Sequence, residues 1–465
     1  MAVLSEETIK KSLYEKYIEP TKKERDNYIG IEIEMPIINL EKKPVDFDII
    51  HKLTGEFLDR FSFEAVGYDE NDNIYSAENK ETGDVYSYDC SYNNLELSMG
   101  KEKELFAIEK RFKTYYEFIQ NWLKKYNYTL SGFGVNPYRN YNNNVPIPNG
   151  RYRMLFHHLH SYKKYDNLPM YFHKYPSYGT FCSASQVQLD VAYEDLLETI
   201  NTFTKLEPIK ALIFANSVLL DEHEELICCR DMFWENSTHG INPHNIGMFD
   251  TEFKTIEELQ AYIESTSIYC TERGDKYINF TPIPVLEYFN QESVTGEYYD
   301  GEAYQTIEIK PELDDLKYLR TFKFEDLTFR GTIEYRSVCC QPIKDFMTVS
   351  AFHVGLKEKL HELTKLLDED SALYGHGYTA SELRKFFNQR EFPHFLDKDE
   401  VYGLAEAVLN LSNEGLKSRG YGEEIFLEPL YRRINDRTNP SLYLLEEKDK
   451  GTPLEEIIKE FSVLH

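Results

Sequence analysis

The chain has 465 residues, with 80 acidic side chains against 52 basic ones and a formal net charge of −28 at pH 7. That balance argues against a nucleic-acid backbone or an anionic membrane as principal partner, and no apolar run approaches the roughly 20 residues of a membrane span. Hydrophobic content of 41% and aromatic content of 14% supply core for one large domain or two ordinary ones, and any anionic substrate has to be met by local cations, whether metals or specific arginines. The stretch 1–19 is charged and amphipathic and lacks a signal-peptide core. Seven cysteines, two adjacent pairs among them (Cys228-Cys229 and Cys339-Cys340), match neither zinc nor disulfide-framework spacing. Reduced, structural thiols in a cytoplasmic protein are the reading this favours, with Cys229 or Cys340 as the thiols a redox role would fall on.

In chain order, the pattern predicts a helix over 5–18 beginning after Ser5, a strand at 29–38 and a helix at 46–60. Residues 62–92 read as irregular or hairpin-like, with a turn at 69–73. Leu105, Ile108, Phe112, Tyr115, Ile119 and Trp122 recur at helical spacing, so 102–126 is a long helix whose stripe is core. A Pro/Asn-rich loop spans 136–149 and a helical run starts at Arg151. Residues 192–218 read as helical with a break near Pro208. The stretch 220–250, rich in Asn, His, Gly and aromatics, has the look of a functional loop. Thr255 to Glu258 forms a capping box, and from about 344 to the end the chain is nearly all helix. The absence of repeats, low-complexity tracts and flexible linkers favours one intertwined α+β domain over 1–465, of which 344–465 is the helical C-terminal part.

The sequence contains no Walker-type phosphate loop, no Gly-x-Ser-x-Gly elbow and no Rossmann fingerprint. His157-His158-Leu159-His160 matches no standard zinc spacing and reads as surface and packing on a Tyr-rich helix. The acidic clusters at 221–225 and 368–370 read as solvated faces.

Four segments alternate apolar and oxygen-bearing side chains. In Gly30-Ile31-Glu32-Ile33-Glu34-Met35 the two glutamates share one strand face, about 6.6 Å apart. Asn94-Leu95-Glu96-Leu97-Ser98 repeats the pattern, with Asp89 seven residues before Glu96. Gln186-Val187-Gln188-Leu189-Asp190 and Thr332-Ile333-Glu334-Tyr335-Arg336 follow. Four such strands suit an antiparallel sheet covered by helices on its apolar back. The front face is open to two readings, plain solvent or a site for a hard divalent cation with phosphate. Its content of Glu, Gln and Asp, with Arg330 and Arg336 at one end, favours the second.

These segments also carry a resemblance. With Pro148-Asn149-Gly150-Arg151-Tyr152, the run Thr180 to Asp190, Phe214-Ala215-Asn216-Ser217, Glu424 to Leu430 and Asn439-Pro440-Ser441, the chain resembles the glutamate–cysteine ligases of the plant-type and proteobacterial branch, within the glutamine-synthetase-like carboxylate–amine ligases. The likeness covers about 30–445. It implies a curled antiparallel sheet, a funnel with helices outside and the active site on its inner polar face. By the same resemblance Glu32, Glu34, Asp89, Glu96 and Glu334 bind Mg²⁺, two or three ions in all, with Gln188 as a further ligand. Arg230 grips the glutamate α-carboxylate, Arg330 and Arg336 sit at strand positions suited to the transferring phosphate, and Arg151 contributes to nucleotide or substrate binding. The implied reaction joins the γ-carboxyl of L-glutamate to L-cysteine at the expense of ATP through a γ-glutamyl phosphate. The implied partners are small molecules, glutamate, cysteine or another amine, and ATP, with no nucleic acid and no membrane, in a cytoplasmic monomer or homodimer. Loop lengths around 62–92 and 270–310 depart from the plant-type pattern, which leaves the amine more open than the acid. The rivals are an amide ligase with a different amine, a phosphotransferase of guanidino-kinase type and a non-catalytic acidic scaffold.

Overall fold

A computed structural model describes residues 5–465; the part of the N-terminal reading that falls on residues 1–4 lies outside the described residues. The chain opens on α1 (Glu6–Tyr17), capped by Ser5, whose hydroxyl accepts from the Thr8 N–H, with Glu6 and Glu7 in the first turn. Strand β1 (Ile29–Asn39) and helix α2 (Phe47–Phe61) follow as the pattern predicts. The 62–92 stretch is more ordered than its composition suggests. It forms β2 (Glu64–Tyr68), β3 (Ile74–Glu78) and β4 (Val85–Tyr88), and Asp69 Oδ1 closes the β2–β3 turn by accepting from the N–H groups of Asn71 and Asn73.

Next come β5 (Asn94–Glu102), α3 (Leu105–Leu123), β6 (Tyr128–Leu130), α4 (Gly150–His160), β7 (Ser185–Asp190) and α5 (Leu196–Phe214). Pro208 lies inside α5, and the expected break does not occur. Nearly every residue of the helix around it is buried, and Arg384 Nη1 donates to the Glu207 carbonyl at 3.0 Å, so neighbours hold the turn that the proline ring loosens.

The 220–250 stretch contains α6 (Arg230–Glu235) and β8 (Ile246–Gly247), and α7 (Ile256–Glu264) starts at the Thr255/Glu258 capping box. A four-stranded antiparallel sheet then appears that the sequence pattern did not announce: β9 (Ser267–Arg273), β10 (Lys276–Pro284), α8 (Val285–Phe289), β11 (Val294–Tyr299) and β12 (Tyr304–Ile309), in the order β12-β11-β10-β9. Strands β13 (Phe322–Lys323), β14 (Glu325–Leu327) and β15 (Thr332–Tyr335) lead into the helical end, α9 (Thr348–Lys357), α10 (Leu360–Asp368), α11 (Ala380–Phe387), α12 (Lys398–Arg419), α13 (Glu428–Asp436), α14 (Pro440–Asp449) and α15 (Leu454–Phe461). The short β13 pairs with β8 in parallel.

The main sheet is antiparallel throughout and runs β14-β15-β7-β1-β5-β4-β3-β2, with β6 also on β1. Its apolar face is the core. Ile29, Ile31, Ile33 and Met35 of β1, Leu95, Leu97 and Met99 of β5, Val187 and Leu189 of β7, and Ile333 and Tyr335 of β15 are all nearly inaccessible. They share one apolar cluster with Leu53 and Phe57 of α2, Phe112 and Ile119 of α3, Phe203 of α5 and Phe352 of α9. Burying a side chain of this size is worth about 1.5–3 kcal/mol, which fixes the strand register, since a slip of one residue would turn the glutamates into this layer. The α+β class, the antiparallel sheet with helices behind it and the helical C-terminal layer are those expected from the sequence.

Candidate active site

Cross-strand partners in an antiparallel sheet share a face, so the register alone assembles the site. Glu34 on β1 stands opposite Glu96 on β5, and Glu96 opposite Ser87 on β4. Glu32 lies between Ser98 and Gln186, and Gly30 opposite Gln188 on β7. Gln188 faces Glu334 on β15, which faces Asp326 on β14. The result is one continuous oxygen-rich surface across six strands. Directly opposed pairs hold their Cβ atoms about 4.5–5.5 Å apart. Asp89, just beyond β4, joins the Glu34–Glu96 end, where it raises the proton affinity of both.

This face is not an open solvent surface. Glu34 is 7% exposed, Glu334 8% and Asp326 9%, while Glu32, Asp89, Glu96 and Gln188 are half-buried. Burial and the carboxylates of Asp89 and Glu96 push Glu34 up to about 8, against the pull of Arg230 and the Ala184 N–H. Burial and Asp89 push Glu96 up to about 7, although the Ser98 hydroxyl donates to it at 2.6 Å. Glu32 is raised well above the usual carboxylate range by burial and then by Glu334 and Glu96, and Asp89 is raised by burial. Carboxylates brought together out of water resist ionising. Asp326, which the sequence reading missed, behaves the same way: burial pushes it up to about 7 against Arg336.

The cations sit at the margins. Arg336 is held charged against its own burial by Glu334 and Asp326, with Nη1 at 3.2 Å from Glu334 Oε2 and 3.8 Å from Asp326 Oδ2. An ion pair between strand positions i and i+2 is geometrically poor, but Arg336 lies one residue past the end of β15, where the chain is free to bring the two together. Arg230, at the start of α6, is 6% exposed. Its Nη1 donates to the Ser337 carbonyl at 3.2 Å, its Nε has no partner, and Glu34 and Cys339 keep it charged against burial. Arg151 is exposed at the first turn of α4, where it acts on Asp89. Gly150 lets that turn lie close to Tyr277, whose ring a Cβ would meet at 2.7 Å.

Arg330 departs from expectation. It occupies the turn between β14 and β15 rather than a strand position, is exposed, and reaches the face by donating from Nη2 to Gln188 Oε1 at 3.0 Å. Gly331, with φ of +73°, makes that turn. At the same end Lys101 and Lys103 flank the Tyr28 ring at 4.6 and 5.3 Å. Gly30 adds no side chain there, and a Cβ on it would meet only Gln188, at 3.4 Å. In a chain of net charge −28 this basic rim beside an acidic face is a marked local reversal.

Among the described residues no three acidic, histidine or cysteine side chains close on one point at ligand distance. Several carboxylates are already engaged: Glu34 accepts from the Ala184 N–H at 2.7 Å and from Gln186 Nε2 at 2.8 Å, Glu96 from the Ser98 hydroxyl, and Glu334 from Arg336. The donor set nevertheless fits a hard cation. It is all oxygen, its charges repel one another, and Gln186 Oε1 is buried with no hydrogen-bond partner. Two surface clefts, of about 570 Å³ and 450 Å³, lie elsewhere, around Tyr116 and His465 and around Arg437 and Asp449. All seven cysteines are unpaired and buried, and no helix among the described residues is long and apolar enough to cross a membrane.

The sequence has similar counterparts among known proteins. No family model matches the chain. A chloroplastic glutamate–cysteine ligase A from Oryza sativa subsp. indica is 27% identical over 271 residues, which is 56% of this chain and 51% of that protein. The chloroplastic glutamate–cysteine ligase of Nicotiana tabacum is 23% identical over 418 residues, 87% of this chain and 73% of that protein. The chain is similar in sequence to plant glutamate–cysteine ligases. It spans about half the length of most of the curated relatives it matches. A crystal structure of glutamate–cysteine ligase from Francisella tularensis in complex with AMP aligns over 95% of this chain and 88% of that one, at 11% identity and a TM-score of 0.44, a likeness too slight to carry an assignment.

Proposed function

We propose that the chain is an ATP-dependent carboxylate–amine ligase that joins the γ-carboxyl of L-glutamate to L-cysteine through a γ-glutamyl phosphate. The observation that carries this reading is the row of buried, mutually repelling carboxylates across one sheet face, with separate guanidinium groups at its two ends. A carboxylate is a poor electrophile until a phosphoryl group has been placed on it, and placing it requires two anions to approach each other.

Glu32, Glu34, Asp89, Glu96, Glu334 and Gln188 would hold Mg²⁺, two or three ions, which when bound neutralise and clamp the phosphates. Arg230 faces the Glu34 end with an unpartnered Nε, suited to one carboxylate of glutamate. Arg336, between Glu334 and Asp326, supplies fixed positive charge where the transferring group gathers negative charge. Arg330, Lys101 and Lys103 meet the polyphosphate at the Gly30 end, and Arg151 meets substrate from α4. The proton of the attacking amine leaves to phosphate, to water or to one of the carboxylates whose raised proton affinity suits it.

The chain is proposed to work as one intertwined catalytic unit, as a monomer or homodimer. The single apolar cluster that joins residues from Ile9 to Ile434 supports the first point. The seven unpaired thiols support a reducing compartment such as the cytoplasm; the names of the plant relatives place those proteins in the chloroplast. The test is ADP release by the purified protein with Mg²⁺: it is expected only when glutamate and an amine are both present. A phosphorylated product formed from a single acceptor without peptide-type bond formation would replace the ligase by a phosphotransferase.

A further inference from the structure

Among the described residues all but five of the arginines pair with a carboxylate; Arg60, Arg151, Arg230, Arg320 and Arg330 do not. In a chain of net charge −28 an acidic partner is easily supplied, so its lack at these positions is informative. Arg60 lies in the last turn of α2, where a cation faces the free carbonyls of the helix end. The other four border the acidic face. Arg230 donates to a backbone carbonyl and Arg330 to Gln188, whereas the side chains of Arg151 and Arg320 have no hydrogen-bond partner among the described residues.

Arg320 was not among the candidates read from the sequence, and its setting is firmly built. The Leu319 carbonyl accepts from the Tyr17 hydroxyl at 3.2 Å, and the Arg320 carbonyl from Asn245 Nδ2 at 3.2 Å. The same Asn245 side chain holds Ser267, at the start of β9, by its N–H and its carbonyl, each at 2.7 Å. Thr321 donates its hydroxyl to Asp326 of the acidic face. The backbone is thus pinned beside the site while the Arg320 side chain stays exposed. Arg151 occupies the first turn of α4, which Asn149 Oδ1 caps by accepting from the Tyr152 N–H at 2.8 Å. It reaches water, yet burial by the protein around it works against its charge, which Tyr152, Cys90 and Asp89 uphold. Burial raises the Tyr269 hydroxyl and the Cys270 thiol of β9, and both guanidiniums oppose it, so the two cations converge on one stretch of that strand.

We propose that Arg151 and Arg320 together hold the carboxylate of the acceptor, and that Arg320 is the residue by which an α-amino acid is preferred over an amine lacking that group. The inference rests on the ligase reading. That reading uses Arg230 for glutamate, Arg336 for the transferring group and Arg330 for the polyphosphate. One anion is left, the α-carboxylate of the acceptor, and Arg151 and Arg320 are the arginines left to meet it. A guanidinium offers a carboxylate two parallel N–H groups, and at neither of these two does an acid of the chain compete.

The experiment measures ADP release at saturating glutamate and Mg²⁺-ATP with cysteine and with cysteamine, which keeps the amine and the thiol and lacks the carboxylate. The native protein is expected to favour cysteine in kcat/KM by roughly tenfold or more. Arg320→Gln is expected to raise the KM for cysteine roughly tenfold, to shift that for cysteamine by less than about twofold and to leave the KM values of glutamate and ATP unchanged. If Arg320→Gln fails to fold, Arg320→Lys, which keeps the charge without the paired donors, is expected to show the same selective rise, smaller in size. Equal use of the two acceptors by the native protein, an unchanged KM for cysteine in the folded variant, or an equal loss with both acceptors overturns the assignment of Arg320 and leaves the ligase reading standing. So does a rise in the KM of glutamate or ATP in place of that of cysteine. ADP release that needs no amine overturns both.

Discussion

The two sides of β14 carry clusters of charge that behave in opposite ways. On the back, Glu207 and Lys210 of α5, Asp231 of α6, Glu325 and Arg384 of α11 form a network that is closed on itself. Glu207 pairs with both Lys210 and Arg384 and accepts from the Ser337 hydroxyl at 2.9 Å, and Arg384 grips Asp231 through Nε at 2.6 Å and Nη2 at 3.1 Å. Three acids meet two cations, and Glu325, raised well above its usual range by burial and Glu207, takes up the proton that balances the set. On the front, Glu32, Glu34, Asp89, Glu96, Asp326 and Glu334 face Arg336, Arg230 and Arg151. The back set is fully buried and half of the front set only partly so, but both lie largely out of water, and it is the balance of charge that separates them. The back set is electrically complete, whereas the front set holds twice as many acids as cations and balances only by taking up protons or, as proposed, cations from outside the chain. A charged cluster that satisfies itself reads as structure, and one that is left short reads as a site.

The sharpest way to break this comparison is to remove one charge from each side. Lys210→Met strands Glu207 and Glu325 in the interior and is expected to lower unfolding stability by about 3–5 kcal/mol, measured by urea denaturation. Glu34→Gln, in metal-free protein at pH 8, is expected to lower it not at all, because a repelling charge has been removed. Equal losses in the two variants would end the distinction. Turnover should move the other way: Glu334→Gln is expected to reduce kcat about 10²–10³-fold with the unfolding midpoint unchanged, and Asp326→Asn to reduce it less, since Asp326 acts on the site through Arg336.

The two sides also differ in the sign of their pH dependence. Glu34, Glu96 and Asp326 have their proton affinities raised, to about 8, 7 and 7, from the ordinary 4.5, 4.5 and 3.8. The stability they contribute is fully present below about pH 4 and is lost as the pH climbs through 7 to 8. Glu207, paired with Lys210 and Arg384, is lowered to about 2 despite its burial, so its contribution is present above about 4.5 and is lost as the pH falls toward 2. Metal-free protein is therefore expected to lose thermal stability between pH 5 and pH 8, by at least about 1 kcal/mol, and Mg²⁺ to restore most of it at the upper end. Calorimetric scans with and without Mg²⁺ check this. A midpoint that holds level or rises from pH 5 to 8 without metal would contradict the front-face assignment.

The alternation of Ile31, Glu32, Ile33 and Glu34 carried much of the sheet face, because a strand period of two leaves a plain trace when one side is apolar and the other acidic. Glu325 and Asp326 left no such trace: they point to opposite sides, one into the back network and one into the front face, and adjacent acids in a sequence look like solvated surface. The sheet from 267 to 309 was hard to read for a related reason, since the partly exposed strands β11 and β12 carry only three aliphatic residues, Val294, Ile307 and Ile309, on one face. Pro208 misled because the rule for proline concerns a helix standing alone, and α5 is gripped from all sides. Arg330 lies two residues before β15 begins; Gly331, the signal for the turn, was in view beside it.

The smallest expected effect falls on the basic rim, where charge is exposed and water screens it. Lys101→Ala, Lys103→Ala and Arg330→Ala should each raise the KM for ATP by no more than about fivefold, the reach of an exposed charge, and leave the KM for glutamate alone. Because exposed charges interact through solvent, the three effects should shrink together as the ionic strength is raised from about 0.05 M to about 0.5 M. Arg336→Lys provides the contrast: its partners are buried, so its effect should fall on kcat and be indifferent to salt. Were the rim variants to change the KM for glutamate and not that for ATP, the polarity of the sheet face would be reversed, with nucleotide at the Arg230 end and amino acid at the Gly30 end. That outcome would keep the carboxylate row as the reacting centre and exchange the roles of its two flanks, so the salt series decides not whether the face binds but which way round it does.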